Sequence, residues 1–134
     1  MRVKLTACLV AAVLFLAVGL PLFAHHGNSA YNNDKTVTVK NGTVTEFIWA
    51  NPHSLILFDA KDANGKVAHW AVEGGSPSAL GNLGWNRNSL QPGDVITVEL
   101  YQAKLGTPVG RLNRILLADG KELRDSAYRS KPGS

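Results

Sequence analysis

Cysteine is almost missing: Cys8 is the only one in 134 residues. It lies in an apolar amino-terminal stretch that reads as removable, so the remainder of the chain can form no disulfide and its core must hold by packing alone. Strong charge of one sign is missing too. The formal net charge is +4, and Arg2 and Lys4 supply two of those charges. Acidic and basic residues alternate along the rest, without the stripe of basic side chains that tracks a phosphate backbone, which argues against a nucleic-acid partner. After residue 24 no apolar run approaches the roughly 20 residues that a helical membrane span requires.

What is present begins with that first segment. Arg2 and Lys4 form a short basic region, residues 5–22 are apolar except for Thr6, Gly19 and Pro21, and Ala24 supplies the small residue before a cut. This pattern predicts a signal peptide over residues 1–24, cleaved after Ala24, and a periplasmic mature protein with no membrane span of its own. An uncleaved amino-terminal anchor is the alternative. Leu5-Thr6-Ala7-Cys8 has the letters of a lipoprotein box, but only four residues precede it, too few for a basic and an apolar region. Residues 25–134 then suit one domain.

Residues 25–35 are polar and small apart from Tyr31, and read as an amino-terminal arm. The expected barrel domain covers residues 36–123. Its first strand alternates over 36–40 and restarts in shifted phase over 43–49, predicting a bulge or coil at Gly42. Ala50-Asn51-Pro52 interrupts, a second strand runs over 54–59, and Asn64-Gly65 turns the chain into a third over 66–73. Ser76 and Pro77 have the order of a helix cap and first helical residue, giving a helix of about two turns that Gly84 stops. Pro92-Gly93 precedes a fourth strand over 94–101, and a fifth covers 111–118. The polar residues 124–134 are expected to be a disordered tail. Five strands, with one short helix between the third and fourth, predict a mainly β fold: a small five-stranded OB-like barrel. An antiparallel sandwich is the competing architecture.

The succession Trp49-Ala50-Asn51-Pro52-His53, Trp70-Ala71-Val72-Glu73-Gly74-Gly75-Ser76-Pro77, Gly84-Trp85 and Gln91-Pro92-Gly93-Asp94-Val95 resembles a family of small exported Gram-negative proteins classed only as a domain of unknown function. Its members resemble this chain in a His-His pair after the signal and an Asn-Pro-His turn. The resemblance implies localisation and architecture. It transfers no catalytic residue.

Chemistry is therefore sought in the residues themselves. The histidines are His25, His26, His53 and His69, and imidazole suits copper, zinc or nickel. Cleavage after Ala24 would free an α-amine on His25, and amine plus imidazole on one residue can chelate copper as half of a histidine brace. His26 offers a second chelate through its imidazole and the preceding amide. His53, held by the Pro52 turn, is the expected ligand from elsewhere, with Glu73 the nearest carboxylate. A hairpin turning at residues 63–64 sets His53 opposite Gly74 and His69 opposite Phe58. At about 3.3 Å per residue the two imidazoles would stand some 16 Å apart, too far to share an ion. His69 is expected to face solvent. Trp70 and Trp85 read as core, whereas Trp49 and Asn51, beside the turn, are candidates with Glu73 for binding a ligand.

Gly74-Gly75-Ser76 lacks the remainder of a phosphate loop, and Ser54, Ser76 and Ser89 lie in no nucleophile-elbow sequence. The sequence thus favours a non-catalytic periplasmic module for an unknown ligand or protein partner. A copper-binding or copper-delivery protein using His25, His26 and His53 is the alternative, and a hydrolase or redox enzyme ranks third.

Overall fold

The computed structural model describes residues 28–130. The signal segment, His25 and His26 lie outside the described residues, as do residues 131–134. The elements are a 3₁₀ turn at Asn28–Ala30, β1 (Val37–Ile48), β2 (Leu55–Lys61), β3 (Val67–Glu73), α1 (Pro77–Gly81), β4 (Val95–Gln102), β5 (Val109–Leu117) and β6 (Glu122–Arg124).

The sheet runs β3-β2-β1-β4-β5-β6, and a further pairing of β3 with β5 closes the first five strands into an OB-like barrel. Ladders between sequential neighbours are antiparallel, whereas the closing contact is parallel, pairing Ala71 with Val109, Val72 with Gly110 and Glu73 with Arg111. Further along β5, Arg114 to Leu116 pair with β6. Together β3 and β6 occupy successive stretches of β5 and cover an edge that would otherwise present unpaired backbone groups.

The long β1 serves both halves of the barrel. Its first part pairs with β4 and its last part with β2, with register shifts between Val39 and Gly42 on one side and Val44 and Glu46 on the other. The phase shift expected at Gly42 is thus a bulge, and Asn41 beside it adopts φ 55°, which asparagine tolerates better than most residues. A Cβ on Gly42 would lie 2.6 Å from Cδ2 of Phe58. The ring takes the space that a side chain would need.

Alternation sets the core. On β2, Ile56, Phe58 and Ala60 are buried while Leu55, Leu57 and Asp59 are half-exposed. Val44, Val72, Ile96, Val98, Leu100, Leu112 and Ile115 join them from the other strands. Trp70 stacks on Phe58 with centroids 6.0 Å apart and planes 2° apart. Ser76 caps α1 by accepting from the Ala79 N–H at 3.2 Å, with Pro77 in the first turn. The helix ends at Gly81, short of the two turns expected, because Asn82 caps it and Gly84 turns the chain at φ 89°. It inserts Leu80 into the core, followed by Trp85, whose Nε1 donates to the Arg124 carbonyl at 2.9 Å.

The region after residue 123 differs from expectation. Instead of a disordered tail starting at residue 124, β6 leads into a packed segment. Asp125, buried, accepts from the Gly75 N–H at 2.7 Å and the Ala127 N–H at 2.9 Å. The Arg129 N–H donates to Asn113 Oδ1 at 2.9 Å, and Asn113 Nδ2 donates to Glu99 at 2.7 Å and to the Arg129 carbonyl at 3.2 Å. Arg114 joins Glu99 to Glu122. Hydrogen bonds to distant partners order this polar stretch, with little apolar burial for composition to reveal.

Candidate functional site

One end of the barrel gathers groups from three parts of the chain. His53 leaves the turn at Asn51-Pro52, whose peptide bond is cis, one residue ahead of the buried Ser54. Backbone pairing then continues past the strand ends: the Ser54 N–H donates to Gly75 O at 3.0 Å, and the Gly74 N–H to Ser54 O at 2.8 Å. That extension brings His53 against the end of β3. Its Nδ1 lies 3.3 Å from Glu73 Oε1 and 3.3 Å from the Gly74 carbonyl oxygen.

The arm supplies the third group. Tyr31 forms an isolated antiparallel bridge with Ala103, strengthened by Asn32 N–H donating to Gln102 O at 2.9 Å and Lys104 N–H to Ala30 O at 3.1 Å. As the one large side chain in a polar stretch, Tyr31 is what this arm can bury. It is only 4% exposed, and its hydroxyl donates to Glu73 Oε2 at 3.2 Å. Glu73 therefore accepts from Tyr31 on one oxygen and lies beside His53 Nδ1 with the other, while the hydrogen-bond partner of that ring nitrogen is the Gly74 carbonyl.

Burial, followed by the repulsion and hydrogen bonding of Glu73, pushes the Tyr31 phenol from 10.0 up to about 12, with Arg111 pulling weakly the other way. The sign follows: the folded state keeps the proton longer than the unfolded chain does, so stability falls as pH rises through the window from about 10 to 12. Tyr31→Phe is expected to flatten that slope. Denaturant midpoints measured across the window, with phenolate absorbance followed in parallel, check it; an unchanged slope in the variant assigns the effect elsewhere.

His53 and Glu73, both singled out from sequence, thus meet. The other two ligand-binding candidates stand differently. Trp49 packs edge-on against Phe47 at 5.7 Å, and Phe47 lies 6.0 Å from Trp85, so Trp49 belongs to an aromatic group beside the core. Asn51 is exposed in the turn. His69 faces solvent as expected, its side chain 80% exposed, with Nδ1 2.6 Å from Asp59. Its strand partner is Asp59 and not Phe58. The reason is the turn, which spans Asp62 to Lys66 with Asp62 N–H bonded to Lys66 O at 2.8 Å, and so shifts the register by one residue. Tyr31 and Arg111 were not identified as site residues. A lone aromatic in a polar arm was the available signal for Tyr31; Arg111 reaches the corner only through the parallel closing contact.

Among the described residues no group of three or more His, Cys, Asp or Glu side chains is placed to hold a metal ion. His53 and Glu73 offer two donors, and further ligands would have to come from solvent or from residues outside 28–130. A cleft of about 520 Å³ opens between β1 and the β2–β3 hairpin, lined by Lys40, Asn41, Thr43, Asp59, Ala60, Lys61 and Val67, none of them a corner residue. Among the described residues no helix is long and apolar enough to cross a membrane.

A closed five-stranded barrel with a plugging helix and a polar corner where β2 starts and β3 ends defines a small OB-like β-barrel domain. The chain belongs to a family of unknown function (DUF6152), which matches residues 12–112. That span includes Tyr31, His53, Glu73 and Arg111 and stops within β5. No curated protein and no solved structure matches the chain.

Proposed function

We propose that this protein is an exported, periplasmic, non-catalytic binding module whose site is the corner formed by Tyr31, His53 and Glu73. The observation that carries this reading is Glu73, which accepts from the buried Tyr31 at 3.2 Å and stands 3.3 Å from the exposed His53. Polar groups converge there on an accessible imidazole. The first 24 residues support export, and the absence of a nucleophile-elbow sequence or a phosphate loop favours binding over catalysis. The intact mass of the chain recovered from the periplasm, measured with its metal content, tests the address and the ligand together. A mass retaining residues 1–24 overturns cleavage after Ala24 in favour of the uncleaved anchor, and absence of the chain from the periplasmic fraction overturns the export reading.

A second reading, copper binding or delivery through His25, His26 and His53, is favoured by the anchoring of the arm. Tyr31, six residues after His25, is fixed to the carboxylate that His53 touches. Six residues span at most about 20 Å when extended, so a terminus created by cleavage after Ala24 would be short enough to reach His53. Protein beginning at His25 is expected to bind one Cu(II) at least about 100-fold more tightly than the same chain with its α-amine acetylated, a difference near 2.7 kcal/mol. Competitive titration, with tryptophan quenching as a parallel readout, measures this. Equal affinities overturn the brace.

A further inference from the structure

We propose that the cleft between β1 and the β2–β3 hairpin is a binding site for a small organic monocarboxylate, an acid head on a compact apolar body. The inference goes beyond the corner of Tyr31, His53 and Glu73 and does not rest on it, since the two share no residue.

The cleft follows from the way β1 is divided between two neighbours. Its ladder with β2 runs from the pair Ile48 and Leu55 to the pair Thr43 and Asp59, and stops there. Upstream of Thr43, β1 pairs with β4 instead, and its bulge at Lys40 and Asn41 falls between the pairs Val39 with Val98 and Gly42 with Ile96. β2 runs on through Ala60 and Lys61, whose ladder partners, Ala68 and Val67, are on β3. The two strands therefore part, and a space of about 520 Å³ opens between them. Clefts of roughly 300–1,000 Å³ are the usual size of small-molecule sites. The Phe58 ring, 1% exposed, takes the place that a side chain at Gly42 would need, so the space stops short of the core.

The lining sets the class of ligand. Lys40 from β1 and Lys61 from β2 put an ammonium group on each strand, and Asn41 and Thr43 add neutral hydrogen-bonding groups. Lysines beside a strand edge also discourage pairing with other chains. That role leaves the apolar part of the lining unexplained: Ala60 is 4% exposed, and Val67, on the hairpin, is 45% exposed. Asp59 is the acid of the lining, with Oδ1 2.6 Å from His69 Nδ1. One carboxylate against two ammonium groups leaves a single net positive charge, which a monoanion neutralises. A carboxylate between the lysines, with its apolar body on Ala60 and Val67, meets both kinds of surface. An α-ammonium group on the ligand would have to compete with His69 for Asp59, which favours a plain acid over an amino acid.

Phenylacetate is the probe, titrated into the whole chain as recovered from the cell and followed by amide proton–nitrogen NMR. Saturable shifts are expected at residues 40–43 and 59–67, and none of similar size at His53, Glu73 or Gly74. Phenylacetamide, which keeps the shape and lacks the charge, should bind about 10-fold more weakly, the order expected for losing two solvent-exposed ion pairs. The double variant Lys40→Met and Lys61→Met, at exposed positions that leave the fold intact, should weaken phenylacetate by a similar factor. Asp59→Asn should tighten it by about 3-fold, because a like charge is removed. Phenylglycine, with its added ammonium group, should bind more weakly than phenylacetate, and inorganic phosphate at equal concentration should not displace it. Equal affinity for phenylacetamide, unchanged affinity in the lysine variant, weaker binding in Asp59→Asn, tighter binding of phenylglycine, displacement by phosphate, or shifts centred elsewhere overturns the proposal.

Discussion

Phe58→Ala is expected to lower folding stability by about 3–5 kcal/mol, the usual range for truncating a fully buried aromatic. The ring is 1% exposed, stacks on Trp70 and lies against the backbone at Gly42. Neither neighbour can fill the hole: Trp70 is held in the ladder opposite Phe58, and Gly42 has no side chain. For a domain of this size the loss is a large part of the total. Urea denaturation followed by tryptophan fluorescence measures it, and a shift no greater than that of a surface substitution would show that the ring is not part of the core.

Asp125→Ala is expected to cost about 2–4 kcal/mol, because it removes two charge-assisted hydrogen bonds and leaves the Gly75 N–H without its acceptor. The effect reaches beyond the carboxyl-terminal segment. Gly75 also takes the Ser54 N–H on its carbonyl, so Asp125 steadies the strand ends that hold His53 against Glu73. A Cβ on Gly75 would lie 2.5 Å from Ser126 Oγ, a measure of how closely the two segments approach. Asp125→Asn keeps one acceptor oxygen and is expected to lose less. Denaturation midpoints of the two variants, with amide exchange at Gly75, check the ranking; equal losses would assign the effect to charge alone.

Much of the barrel was legible because its strands face core on one side and solvent on the other. The alternation of Ile56, Phe58 and Ala60, the Asn64-Gly65 turn, the Ser76-Pro77 cap and the phase shift at Gly42 are local signals, each with a local physical cause. His53 and Glu73 could be paired because a hairpin register needs only the position of its turn, and placing that turn half a residue early was enough to set His69 opposite the wrong partner. What escaped depends on distant partners. Asp125, Asn113 and Arg129 are polar residues whose order comes from one another and from Gly75 and Glu99. Tyr31 gains its role from Ala103 and Glu73, far along the chain. The parallel contact of β3 with β5 leaves no periodic mark, since both strands alternate alike whether or not they touch.

That contact has a consequence for the order of assembly. It joins Ala71–Glu73 to Val109–Arg111, with α1, its following turns and all of β4 between them. Pairings across so long a loop are entropically late, and the antiparallel hairpin of β2 and β3 can form well before them. Until β5 docks, the sheet is an open ribbon in which Glu73 lacks Arg111 beside it. The arm must wait as well, because Tyr31 lies against the end of β4. An unfinished chain therefore carries Tyr31, His53 and Glu73 but no corner, and the three side chains meet only in the step that completes the fold.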